Sequence, residues 1–188
     1  MATVYRNDRG AGLNRAGRYR SLHPARLLLL AITLAAVELP GGGAALAQSF
    51  GQGVSAFNRQ DYLTASRAFI PLAERGDPAA QTYLGFMFET GRGVPQNYTE
   101  AAMWYRRAAE QGDSLAQYSL GLLYDKGFGV PRNIIEASKW LNLSTAAAPR
   151  KAREARARIR DAVTGKMTRG EIAQARLRAL EWAPVRER

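Results

Sequence analysis

The chain has 188 residues, with 27 Lys and Arg against 16 Asp and Glu, one histidine and no cysteine. That length can bury a core without disulfides or a metal, and 46% hydrophobic with 23% charged residues is a globular composition. The missing cysteines exclude a disulfide framework, a thiolate nucleophile, cysteine-ligated zinc and iron–sulfur clusters.

Residues 1–26 carry Arg6, Arg9, Arg15, Arg18, Arg20 and Arg26 against Asp8. An unbroken apolar run fills 27–37, followed by Pro40-Gly41-Gly42-Gly43 and Ala45-Leu46-Ala47. Basic head, apolar centre and small-residue triplet predict a secretory signal peptide, 1–47, cleaved after Ala47. The run is short of the roughly 20 residues a spanning helix needs. An uncleaved anchor and an N-terminal core helix are the alternatives. No Arg-Arg pair precedes the run and no lipobox cysteine follows it, so general export to the periplasm of a Gram-negative cell is expected, with secretion as second choice. Cleavage removes His23, which leaves few routes to hydrolytic or metal chemistry. It also exposes an asymmetry: 48–148 hold nine basic and nine acidic residues, 149–188 twelve and five.

The first segment of the exported part, 48–77, reads as a helix pair, with Ala65, Ala68, Phe69, Leu72 and Ala73 at helical spacing. Residues 80–104 and 116–140 then match at an offset of 36, with 12 of 25 positions identical, which marks a duplication. In each copy a first helix carries one apolar stripe (Ala80, Leu84, Met87, Phe88; Ala116, Leu120, Leu123, Tyr124). A second helix follows, marked in the first copy by Ala101, Trp104, Tyr105, Ala108 and Ala109. Gly85 and Gly121 fall in mid-helix, at a cost of about 1 kcal/mol relative to Ala, which predicts close approach of the partner helix. Gly91 and Gly127 suit a left-handed helix end, and Val94-Pro95 and Val130-Pro131 cannot continue a helix. Asn97-x-x-Glu100 and Asn133-x-x-Glu136 have the form of capping boxes. Gly76-Asp77-Pro78 and Gly112-Asp113-Ser114 predict a stop, an N-cap and a new start.

The pattern A-x-x-x-L-G-x-x-[FY]-x-x-G-x-G-V-x-x-N-x-x-x-A-x-x-W, met at 80–104 and 116–140, resembles the Sel-one-like repeat (SLR), a subclass of tetratricopeptide-like helical repeats. Residues 48–77 lack the glycine-rich loop and have the shorter spacing of the tetratricopeptide repeat proper. The resemblance implies an all-α fold: a right-handed α-solenoid of antiparallel helix pairs at 48–77, 78–113 and 114–148. Residues 149–188 complete it as basic C-terminal capping helices. There Met167-Thr168-x-x-Glu171-Ile172-Ala173 and Leu180-Glu181-Trp182 are similar to the last helix of exported bacterial proteins of this kind. Thr168-x-x-Glu171 is a capping box; Ala152, Ala155, Ile159 and Val163 form one stripe, and Ile172, Ala175, Ala179 and Trp182 another. A terminal pair must hide the inner face of the array.

The first helix of each pair lines the inner wall of such a solenoid. Opposite the core stripe stand Thr82, Phe86 and Glu89, then Tyr118, Leu122 and Asp125, with Val54 and Phe57 upstream. These six are the candidate protein-binding residues, a row of apolar groups edged by acids that suits an extended peptide or partner helix. Packing of Phe86 and Leu122 on neighbouring helices is the alternative. Trp104 and Trp140 stand on the core stripe and read as packing. No catalytic, cofactor or metal site is expected: Gly91-x-Gly93 and Gly127-x-Gly129 lack the strand and Lys-Ser/Thr of a phosphate loop, and no nucleophile elbow, calcium loop or H-E-x-x-H occurs. Nucleic acid is not expected either, since Glu154 and Asp161 interrupt the basic tail and no aromatics interleave. The resemblance implies roles in envelope assembly, signalling or host contact. The expectation is a non-catalytic scaffold for a protein or peptide partner in the cell envelope. Its alternative is a binder of cell-wall fragments or anionic envelope lipid through the basic C-terminal helices.

Overall fold

The computed structural model describes residues 42–187, with side chains from Ser49 onward. The basic head, the apolar run and His23 lie outside the described residues. Eight helices and no strand are found in the described residues: α1 Gly42–Asn58, α2 Tyr62–Glu74, α3 Pro78–Thr90, α4 Tyr98–Glu110, α5 Ser114–Lys126, α6 Ile134–Ala147, α7 Arg150–Thr164 and α8 Arg169–Leu180. Cleavage after Ala47 would leave 48–58 of α1.

Local chemistry sets most of these ends. Asp77 and Asp113 accept from the backbone N–H of Ala80 (2.7 Å) and Ala116 (2.8 Å), satisfying donors that a helix start leaves open. Pro78, which has no N–H to lose, occupies the first turn of α3. Gly91 and Gly127 end α3 and α5 at φ of 69° and 74°, a conformation open to a residue without Cβ. Asn97 and Asn133 cap α4 and α6, each accepting two backbone N–H groups. They are not full capping boxes: the N–H that Glu100 and Glu136 would accept already donates to the carbonyl of Phe88 or Tyr124 at the end of the preceding helix. Thr168 and Glu171 do form the reciprocal box at the start of α8.

Each helix packs on its sequence neighbour from α1 through α7, and α3 also touches α5. Within a repeat the two helices close at the mid-helix glycine. A Cβ on Gly85 would lie 2.7 Å from the Tyr105 ring, and one on Gly121 would lie 2.8 Å from Cγ of Leu141. Between successive pairs the contact is an apolar cluster that encloses one polar anchor. Gln81 and Gln117, buried among apolar neighbours, donate through Nε2 to the carbonyls of Ala73 (3.1 Å) and Ala109 (3.2 Å), at the ends of α2 and α4. Trp104 and Trp140 are buried in the cores on either side.

The closing helices depart from expectation. They do not chiefly pack on each other; both pack on α6. The face of α7 is also turned: Ala155 and Ile159 are exposed, Val163 is buried, and Arg156 points inward. Its guanidinium donates to the carbonyls of Ser114 (2.9 Å) and Ser144 (3.3 Å) and to Oγ of Ser144 (2.9 Å). Two carbonyls and a hydroxyl, from the first turn of α5 and the last turn of α6, hold that cation, where burying short Ala side chains would gain little. Trp182 is not on a helical stripe, because α8 stops at Leu180.

Candidate protein-docking face

A cleft of about 340 Å³ opens between the first helices of successive pairs. Phe57 of α1 forms one side, Ala79, Thr82, Tyr83 and Phe86 of α3 the centre, and Leu115 and Ser119 of α5 with its N-cap Asp113 the other side, with Tyr105 of α4 at the floor. Leu115 is 51% exposed and also borders a second hollow, with Tyr118 of α5 and Ala152, Ala155, Arg156, Arg158 and Ile159 of α7. Helix α7 therefore stands beside α5 where the first helix of a further repeat would stand. Leu115 joins the two concavities into one mainly apolar path.

Aromatic packing shapes its walls. Phe57 meets Tyr83 and Phe86 edge-on, with ring centroids 5.1 and 5.7 Å apart. The Arg92 guanidinium lies 5.4 Å from the Phe86 ring and 5.2 Å from that of Tyr62, so Phe86 is half-buried between an aromatic and a cation. Beneath, the Tyr105 hydroxyl donates to Oε2 of Glu89 at 2.8 Å. Burial, with the Glu89 charge adding to it, holds this phenol well above its ordinary pKa, so it is a neutral donor.

The six sequence-predicted positions do not form one open row. Thr82 and Phe86 line the cleft, although Thr82 is buried, at 7% exposure, and returns its hydroxyl to the Pro78 carbonyl. Glu89 is engaged by Tyr105. Tyr118 lies under Arg156 of α7, 5.6 Å from its ring centroid, and Leu122 is half-buried outside the cleft. Asp125 pairs with Lys166 at 3.0 Å. Leu141 stands where the first repeat has Tyr105, so Asp125 has no phenol to accept from, and the α7–α8 connection supplies a cation instead. Leu115, Ser119, Tyr83, Tyr105 and Ile159 were not singled out as surface positions by the sequence. Leu115 sits one residue before the repeated Ala116, on the flank of the stripe where side chains lean toward the helix start.

Among the described residues no group of three or more His, Asp or Glu could hold a metal, and no helix is long and apolar enough to cross a membrane. Stacked antiparallel helix pairs define an α-solenoid of the helical-repeat class. The Sel1 repeat family matches residues 78–113 and 114–148. Among solved structures the chain is similar to c5321, a protective antigen of uropathogenic Escherichia coli strains displaying an SLR fold. That likeness has 29% identity and a TM-score of 0.67, over 73% of this chain and 29% of that one. It is also similar to a Sel1 repeat protein from Oxalobacter formigenes, at 31% identity and a TM-score of 0.55, over 72% of this chain and 54% of that one. Both likenesses thus span less than two thirds of the longer chains. No curated protein sequence matches. The chain is a Sel1-like-repeat helical protein with two such repeats.

Proposed function

We propose that this protein is a non-catalytic scaffold of the cell envelope that holds a peptide segment or helix of a protein partner along the path from Phe57 through Leu115 to Ile159. Sel1 repeats typically mediate protein–protein interaction, and the observation that carries the reading here is the cleft itself. It is apolar, built by the first helices of three successive pairs, and flanked by large side chains left partly in water. The basic head, apolar run and Ala45-Leu46-Ala47 support export to the periplasm by a cleaved signal peptide. The rival surface, the basic closing helices, has less free charge than its composition suggests. Arg153 and Arg156 bind backbone carbonyls, while Arg158, Arg160, Lys166 and Arg178 are paired with acids.

Leu115→Asp tests the reading. The residue is half-exposed, so the substitution is expected to change stability by about 0.5 kcal/mol or less while removing the partner recovered from envelope extracts. Met103→Asp, at an exposed position of the second helix α4, is the control. Equal loss from both variants, or from neither, contradicts the proposal.

A further inference from the structure

Beyond α8 and its cap Glu181 the chain turns back as an irregular strap, 182–187, across the helix ends. Trp182 packs edge-on against Trp140, with centroids 6.3 Å apart, and the Val185 N–H donates to the Glu110 carbonyl at 2.8 Å. The strap ends on Glu187. Its carboxylate accepts from Nε and Nη2 of Arg107 (2.9 and 2.6 Å) and from Nε2 of Gln81 (2.8 Å). Its backbone N–H donates to Oε1 of Gln111 at 3.4 Å. This fork holds the Glu187 carboxyl below its ordinary pKa.

Contacts within the repeats also hold the side chains of that seat. Gln81, fully buried, is fixed by the Ala73 carbonyl, and Gln111 by the Gly76 carbonyl and Oε1 of Gln81, each at 2.9 Å. Arg107 lies over the Trp104 ring, 4.7 Å from its centroid. What projects from the fixed frame is two guanidinium N–H groups and one buried amide N–H, a set of donors that a carboxylate satisfies at once. Such preorganisation lowers the ordering cost of a ligand. Between its anchors the strap is open to water, with Val185 67% exposed and Pro184 and Arg186 also exposed. The second repeat has no equivalent seat, since Leu143 and Ala147 replace Arg107 and Gln111 at the 36-residue offset.

We propose that Gln81, Arg107 and Gln111 form a receptor for an acidic residue of an extended partner peptide, with an aromatic residue five positions before the acid to meet Trp140. The strap is the chain's own occupant and is displaced when the partner binds. This surface is separate from the apolar path, and its chemistry is read from the occupant already in place.

A labelled synthetic peptide with the sequence of residues 182–188, titrated against the full chain and its Glu187→Gln variant, tests this. A tethered competitor acts at an effective concentration in the millimolar range, so weakening it should tighten peptide binding by about tenfold or more. Gln in place of Glu in the peptide should weaken binding at least about tenfold, and Arg107→Gln in the Glu187→Gln chain should abolish it. Arg107→Lys, which keeps the charge without the fork, should give an intermediate affinity and covers the case in which Arg107→Gln fails to fold. Equal affinity of the full chain and the Glu187→Gln variant, or indifference to the peptide's acid, would overturn the proposal. So would a concentration-dependent dimer in sedimentation that Arg107→Gln dissolves, because the seat would then belong to a second copy's strap.

Discussion

Two kinds of crowding act on the repeat glycines, and they have different costs. Gly85 and Gly121 face side chains, so an added methyl presses on Tyr105 or Leu141. Gly93 and Gly129, at φ of 73° and 68°, face backbone: a Cβ there would overlap the carbonyl of Tyr62 or Tyr98, the first residue of the preceding second helix. Gly121→Ala gains about 1 kcal/mol of helix propensity against an overpacking cost of about 1–3 kcal/mol. Gly129→Ala has no such gain and adds a left-handed backbone to an immovable contact. We expect a net loss of about 1 kcal/mol for Gly121→Ala and about 3 kcal/mol or more for Gly129→Ala, from urea unfolding; the reverse order would contradict the assigned contacts. Asp77, Asp113, Gly91 and Gly127 were legible in the sequence because a cap is settled within four residues. The inter-repeat roles of Gly129 and Gln117 were not, because their partners, Tyr98 and Ala109, lie in the preceding unit and nothing local names them.

At the scale of elements, the helix pairs follow from periodicity and the closing helices do not. A stripe of Leu, Met and aromatic residues leaves one way to turn α3 or α5. Helix α7 offers only Ala152, Ala155, Ile159 and Val163, too little apolar area to outweigh hydrogen bonds from Arg156 to the Ser114 and Ser144 carbonyls, so it rotates. The strap was beyond sequence reasoning for a similar cause: its anchor, Glu187, meets Arg107 80 residues away. Arg156→Ala removes donors to Ser114 and Ser144, which should cost about 1–3 kcal/mol. The effect should be local, with faster hydrogen exchange along α7 and little change in α8, which has its own attachment to α6 through Arg178 and Glu136. Equal loosening of α7 and α8 would show that they act as one closing unit.

For the whole molecule, a Sel1-like solenoid differs from a globular domain in where it leaves its apolar groups. Each helix pair hides one face on its neighbours, and the first helices retain a second face that no further repeat covers. The sequence indicated that face and its helices but placed it partly on Glu89 and Asp125, which Tyr105 and Lys166 engage. Its centre lies instead at Leu115, between the two concavities. Site-specific photocrosslinking in intact cells tests this most directly, with the probe placed in turn at Leu115 and Ile159 on the path and at Leu63 and Met103, exposed positions on the second helices α2 and α4. The account predicts that the same partner is captured from 115 and 159 and from neither 63 nor 103; capture from the second helices alone would contradict it.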